Sequence, residues 1–171
     1  IFIQIYPLFA RHGDKLSVYK LLSELAQQYP RIAEVHWVLA QAAEAAARHA
    51  DALREVRQAR TLRPEWDLPV LLEAQLMQTE APAAALATVK IFLDDYPEAD
   101  EARLFYARAL LEQKQYRESR IQFQLLHKMK PENADLAFAI ALLSLQMGEL
   151  DRAESELKQM LVAGKKDSVT V

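Results

Sequence analysis

The sequence predicts an all-α fold built from paired helices, and three observations support this prediction. Ala, Leu, Glu, Gln, Arg and Lys, which are strong helix formers, dominate almost every stretch of the 171 residues. The chain has only 3 Gly and 7 Pro, which leaves little material for β-hairpin turns. Four of the prolines directly follow apolar helical runs, at spacings of 34, 33 and 34 residues: Pro30, Pro64, Pro97 and Pro131. Because proline cannot continue a helix, these prolines indicate helices that end at a fixed period.

The segments between these prolines each predict two amphipathic helices. In the second helix of each segment, three columns spaced i, i+4 and i+7 share one face. The first column is small in four of five segments, and the next two are mostly bulky: Val18, Ala52, Ala85, Ser119 and Ala153; then Leu22, Val56, Val89, Phe123 and Leu157; then Leu25, Ala59, Phe92, Leu126 and Met160. Neither helix of a pair buries its apolar face alone, so neighbouring pairs must stack.

The first helix of each segment carries its own inward stripe, made of two columns four residues apart: Ile5, Leu39, Leu72, Tyr106 and Ile140; then Phe9, Ala43, Leu76, Leu110 and Ser144. Short breaks separate the two helices of a pair. Gly13 and Gly148 are suited to a left-handed helix cap, and Pro82 is suited to the first turn of a new helix.

This pattern resembles the tetratricopeptide repeat, with W-x2-L-G-x2-Y in the first helix, A-x3-F in the second and a terminal Pro. The resemblance covers essentially the whole chain. It implies a right-handed superhelical solenoid of about five hairpins, forming a single domain over 1–171. The expected repeats are 1–32 (truncated at its N-terminus), 33–65, 66–99, 100–133 and 134–167, and residues 168–171 begin a further repeat.

Several positions depart from the family pattern. Trp37 lies one residue beyond the Trp column, and Ala40, Ala107 and Ala141 replace the usual Gly. Glu73 occupies the same Gly position in the third segment, which puts the packing of that segment in question. The first segment carries Pro7 inside its first helix, and the last has Lys165 where the others have Pro. Atypical edge repeats, and a chain that begins at Ile1 without Met, favour a piece of a longer bacterial repeat protein.

The resemblance also implies that the first helices line a concave groove that binds an extended peptide or a partner helix. The candidate groove residues become more apolar toward the C-terminal half: Trp37, Gln41, Val70, Met77, Leu104, Arg108, Leu111, Phe138, Leu142 and Leu145. The alternative is that several of them pack between neighbouring hairpins, as isolated apolar residues usually do. Trp66, between two hairpins, is interpreted as a packing residue.

Sequence motifs give no support for catalysis or for a metal site. The histidines, His12, His36, His49 and His127, occur singly, without short metal-ligand spacings, and are interpreted as surface or edge residues. Nucleophile, phosphate-loop and dinucleotide-binding signatures do not occur in the sequence. We therefore predict a protein that is not an enzyme, with no catalytic residues, no cofactor and no metal.

The predicted function is a scaffold for protein-protein interaction, with a protein or peptide partner of unknown identity. The alternatives are a structural spacer, a self-associating array that forms a homo-oligomer by stacking its end faces, or the regulatory arm of a larger enzyme. The net charge of −3 argues against nucleic acid, and no apolar run reaches the ~20 residues of a membrane span. With no Cys in the chain, both the bacterial envelope and the cytoplasm remain open.

Overall fold

The computed structural model describes residues 14–167, and the side chains of 14–162. Throughout this described range the backbone forms helices joined by short turns, without β-strands. The helices are α1 (Lys15–Gln28), α2 (Ala33–Ala45), α3 (His49–Leu62), α4 (Asp67–Met77), α5 (Pro82–Asp95), α6 (Asp100–Glu112), α7 (Tyr116–Met129), α8 (Ala134–Gln146) and α9 (Leu150–Asp167). The predicted all-α fold is confirmed. The expectations for Ile5, Pro7, Phe9, His12, Gly13 and 168–171 lie outside the described residues.

The chain divides into two compact units, with the boundary between Pro97 and Glu98. In the first unit α1 to α5 pack consecutively, each helix against the next. In the second unit α6 to α9 pack in the same way. Sequential packing of this kind is the pattern of a repeat array. The single domain and the five repeat boundaries stay predictions.

The periodic prolines follow the ends of α1, α3, α5 and α7, as predicted. The residue before each proline leaves the helical region, with φ between −146° and −126° and ψ between 59° and 78°. A proline ring excludes its predecessor from helical φ/ψ, which accounts for these values. The four residues are Tyr29, Arg63, Tyr96 and Lys130. α9 has no such proline and runs on through Lys165.

A left-handed residue closes the turn between the two helices of three pairs. Gly148 has φ +76°, as its predicted capping role requires, and the Glu149 N–H donates back to the Ser144 carbonyl at 2.9 Å. Ala47 and Lys114 occupy the same position with φ +57° and +59°. Sequence reasoning missed these two, because neither residue type signals a left-handed conformation.

The predicted column of small residues lies on the buried face of the second helices. Ala52, Ala85, Ser119 and Ala153 are all buried. The Ser119 hydroxyl satisfies its hydrogen-bonding needs by donating to the Ala107 carbonyl of the paired helix at 2.7 Å. A larger side chain in this column would force the paired helices apart.

Glu73 is buried without disrupting the third segment, because two arginines neutralise it. Glu73 is only 4% exposed on α4. Arg57 Nε of α3 donates to its Oε1 at 2.7 Å, and Arg60 donates to its Oε2. The carboxylate therefore replaces the small residue of the family pattern with a hydrogen-bonded ion pair between consecutive hairpins. The expected packing problem does not arise.

Candidate functional site

Three residues of the predicted groove pack within the units: Trp37, Val70 and Leu104. Val70 is completely buried, which removes it from any binding surface. Leu104 packs against the core cluster that α6, α7 and α8 form in the second unit. Trp37 is partly buried and contacts Trp66 with ring centroids 5.4 Å apart. For these positions the packing alternative describes the structure, and Trp66 has the packing role that we predicted.

Trp37 and Gln41 present side-chain donors to the same face of α2. Trp37 Nε1 and Gln41 Nε2 are both buried, and neither finds an acceptor among the residues that the structure describes. Unpaired buried donors are costly, so they would favour a bound acceptor. Both atoms are shielded from solvent, however, and a partner could reach them only after a rearrangement. Met77, on α4 of the same unit, is partly buried.

The exposed part of the predicted groove lies in the second unit. Four large apolar side chains there are between 37% and 48% exposed: Leu111 on α6, and Phe138, Leu142 and Leu145 on α8. The three α8 residues follow the i, i+4, i+7 spacing, so they share one helix face. Arg108 on α6 is exposed and forms no ion pair within the described part of the chain.

We call Leu111, Leu142 and Leu145, with Arg108, the apolar patch. Its apolar residues are held on regular helices, so their exposure does not reflect a frayed segment. The neighbouring residue Leu143 is buried in the core cluster of this unit, which fixes the orientation of α8. Exposed aliphatic groups beside an unpaired guanidinium suit an apolar segment with a nearby carboxylate or backbone carbonyl.

His36 is a buried residue and not the surface or edge histidine that the sequence suggested. Its Nδ1 donates to Glu55 Oε2 at 2.8 Å, and its Nε2 donates to the Pro30 carbonyl at 3.1 Å. Both partners are acceptors, so the ring satisfies both only as the imidazolium. The hydrogen bond that His36 donates to Glu55 is the main cause that raises the pKa of His36, and the same bond lowers the pKa of Glu55.

This pair predicts a pH-dependent stability of the first unit. His36 contributes fully to the free energy of unfolding below its pKa in the unfolded chain, about 6.5. This contribution is lost as the pH rises through the raised pKa of His36 in the folded protein. The contribution of Glu55 to the free energy of unfolding is instead lost on acidification, as the pH falls through the lowered pKa of Glu55 in the folded protein. As the pH is raised from about 6.5 to about 9, we expect the urea concentration at the unfolding midpoint of the wild type to decrease.

The His36→Gln variant is the matched test, because an uncharged amide replaces the imidazolium. We expect its urea midpoint to vary much less over the same alkaline range. His49→Gln is the control, since His49 bonds to Glu44 at an exposed position. An equal pH dependence in wild type and His36→Gln would contradict the assignment.

A cleft of about 450 Å³ lies among α7, α8 and α9, with His127 and Glu156 in its wall. The Nδ1 atom of His127 is buried and finds no partner among the described residues. Glu156 already accepts hydrogen bonds from the Ser144 hydroxyl at 2.7 Å and from Arg152 Nε at 3.0 Å. Its carboxylate therefore supports the α8–α9 hairpin. Within the described range, no three His, Asp or Glu side chains converge as metal ligands.

None of the described helices combines the length and the apolar character needed to cross a membrane.

Comparison with known proteins supports the repeat pattern in sequence and in fold. The tetratricopeptide repeat family model matches residues 76–128. A crystal structure of MamA superposes with a TM-score of 0.74 at 13% identity, covering 98% of this chain and 92% of MamA. MamA from Desulfovibrio magneticus RS-1, as a form from residue 41 to the end, gives 0.69 at 13% identity, with 96% and 94% covered.

A third similar structure is YrrB, described as a tetratricopeptide-repeat protein with an unusual peptide-binding site. Its TM-score is 0.64 at 14% identity, and the match covers 94% of this chain and 83% of YrrB. No curated protein sequence matches the chain. The sequence identities to the solved structures are low, so these likenesses concern the fold alone. The shared fold confirms the predicted class of an all-α solenoid. With the repeat matched over residues 76–128 and the fold shared along its length, the chain resembles tetratricopeptide-repeat proteins in sequence and in fold.

Proposed function

We propose that the protein is an interaction scaffold whose apolar patch binds an extended or helical segment of a partner protein. The observation that carries this proposal is the exposure of Leu111, Leu142 and Leu145 on well-packed helices of the second unit. A soluble protein gains nothing for its own folding from such exposed aliphatic groups, and grouped exposure is typical of interaction surfaces.

The composition of the patch also suits this role. Rigid helices hold the three leucines in place, so the scaffold loses little conformational entropy on binding. Arg108 adds a donor that can orient a carboxylate or a backbone carbonyl beside the apolar contact. YrrB, which shares the fold, is described as having a peptide-binding site, and this likeness supports a peptide or protein ligand here.

A cross-linking pull-down tests the proposal, with the full-length protein expressed in its native source. We expect Leu142→Glu with Leu145→Glu to lose a specific partner, because two carboxylates would be placed in the apolar contact. Both leucines are more than a third exposed, so the helical circular dichroism spectrum should be unchanged. Purified partner and scaffold should then show a loss in affinity of at least about tenfold for the double variant.

Ile121→Glu is the matched control, because Ile121 is 52% exposed on α7 and lies outside the patch. Retention of the partner by this control excludes a general effect of added negative charge. If the double variant and the control capture the same partners as the wild type, the patch is not the binding site. The structural-spacer alternative and the regulatory-arm alternative would then gain support.

A further inference from the structure

We propose that α7 of one copy of this chain packs antiparallel against α7 of a second copy, through the solvent-exposed side of the helix. We call this surface the α7 stripe and define it by Glu118, Ile121, Leu125 and Lys128. None of these residues belongs to the apolar patch, so the contact is independent of the function proposed above. Two exposed apolar side chains and the order of the charges beside them carry the inference.

The α7 stripe is exposed although α7 itself is firmly packed. Ser119, Phe123 and Leu126 are buried on one side of the helix. At about 100° per residue, the stripe lies on the opposite side, where Ile121 is 52% exposed and Leu125 is 36% exposed. α6 and α8 both pack against α7, so this exposure does not arise at an end of the helix array.

The large apolar pair distinguishes α7 from the second helices of the preceding repeats. Ile121 and Leu125 lie ten and six residues before Pro131. The residues at the same distances before Pro30, Pro64 and Pro97 include only one large apolar side chain: Lys20 and Glu24; Arg54 and Gln58; Ala87 and Ile91. The repeat fold therefore does not require this pair, and exposed apolar groups of this kind are typical of interaction surfaces.

The spacing of the stripe is that of a helix-pairing seam. Its four residues are separated by three, four and three positions. This alternation places side chains in one line along a helix, and it is the spacing by which two helices interlock. A helix with the same spacing would fit the stripe, and α7 of a second copy has this spacing by identity.

The order of the charges selects the antiparallel direction. When two copies of α7 run in opposite directions about the position of Phe123, Ile121 of each copy lies opposite Leu125 of the other. In the same register Glu118 lies opposite Lys128, so unlike charges meet at both ends of the contact. A parallel pair would instead place each charge against its own copy. A two-fold, self-complementary contact thus satisfies the whole stripe.

Both charged residues of the stripe are available for this pairing. The side chains of Glu118 and Lys128 are exposed, and neither forms an ion pair with a residue in the range 14–162. At the edge of the contact, Met129, which is 38% exposed, would lie opposite Arg117 of the second copy. The aliphatic stem of an arginine can cover such a side chain while its guanidinium stays in water.

The contact uses one helix from each copy, which is small beside the ~1,600 Å² of a standard protein interface. We therefore expect a reversible dimer with a dissociation constant on the order of 10–100 µM. Sedimentation velocity of the full 171-residue chain at rising concentration measures this equilibrium.

Ile121→Glu tests the apolar centre of the contact. We expect it to weaken the dimer by about tenfold or more, because its carboxylate would face Leu125 of the second copy. Ile121 is half exposed, so the helical circular dichroism spectrum should be unchanged. Lys90→Glu is the matched control, since Lys90 is an exposed residue of α5 in the first unit, and it should leave the equilibrium unchanged.

Charge reversal tests the antiparallel register. Glu118→Lys and Lys128→Glu should each weaken the dimer by about tenfold, because each places like charges together at both ends of the contact. A general effect of net charge would act in opposite directions in these two variants. The double variant Glu118→Lys with Lys128→Glu should restore the dimer. A mixture of the two single variants, one of them fluorescently labelled, should form heterodimers for the same reason.

A chain that stays monomeric at ~500 µM would overturn the proposal, as would equal effects of Ile121→Glu and Lys90→Glu. Self-association that neither Ile121→Glu nor charge reversal changes would assign the contact to stacked end faces and would also overturn it. Leu142→Glu with Leu145→Glu should remain dimeric, and Ile121→Glu should keep the partner of the apolar patch. The two proposals can therefore fail independently.

Discussion

Replacing both Arg57 and Arg60 by Met is expected to lower the free energy of unfolding of the first unit by about 3 kcal/mol. The two guanidinium groups neutralise Glu73, whose carboxylate is almost completely buried on α4. Methionine preserves most of the aliphatic packing of each arginine but offers no donor. The double variant therefore leaves a buried carboxylate without its partners, which is one of the most destabilising changes available in a protein interior.

A third substitution separates the loss of the ion pair from the loss of packing. Glu73→Met in the double variant removes the buried charge, so we expect the stability to return to within about 1 kcal/mol of the wild type. Urea unfolding followed by far-ultraviolet circular dichroism measures all three proteins. Arg54→Met is the control on the same helix, because Arg54 is exposed and both of its acidic partners, Asp51 and Glu55, keep a second partner without it. A double variant no less stable than this control would show that the ion pair is not needed to keep Glu73 buried.

Glu73 also shows what a repeat pattern predicts and what it omits. The pattern assigns the position to a small residue at a close contact, and it correctly identifies Glu73 as an exception. The compensation comes from Arg57, which is exposed on α3, and Arg60, which is half-buried there, and both lie outside the apolar columns of the pattern. Arginines on a helix surface are ordinary in sequence, so only the three-dimensional arrangement shows that two of them reach one carboxylate.

The periodic features were predictable because they are local. The residue before each proline leaves the helix for a steric reason that depends on two neighbouring residues, as at Tyr29 and Lys130. The buried state of His36 was not predictable in this way. It depends on Glu55, which is 19 residues away on another helix, and on the carbonyl of Pro30. A single histidine without motif partners carries no sign of this arrangement in its flanking sequence.

The predicted groove was only partly located, because residue type alone does not decide exposure in a repeat array. Val70 and Phe138 belong to the same column of the repeat, yet one is fully buried and the other is half exposed. What differs is whether another helix lies over the position, and a column of the alignment contains no information on that. Residue type alone therefore does not separate the exposed Phe138 on α8 from the buried Val70 on α4.

Leu104→Glu and Phe138→Glu test this distinction at one position in successive repeats. We expect Leu104→Glu to lower the free energy of unfolding of the second unit by about 3 kcal/mol, because it inserts a carboxylate beside the core cluster of Phe123, Leu126 and Ile140. Phe138→Glu should cost less than about 1 kcal/mol, because the new carboxylate can remain in water.

Urea unfolding at a fixed pH measures both variants, and Leu104→Ala and Phe138→Ala separate the effect of lost packing from that of added charge. Truncation to Ala should also be more costly at Leu104, since that side chain contacts the core cluster whereas Phe138 is 48% exposed. Equal destabilisation by the two Glu variants would mean that the column is covered at both positions. A large difference would make Leu104 unsuitable for probing partner binding, because its variants would unfold before binding could be measured. Binding could then be changed without changing the fold at the exposed positions of α8, namely Phe138, Leu142 and Leu145.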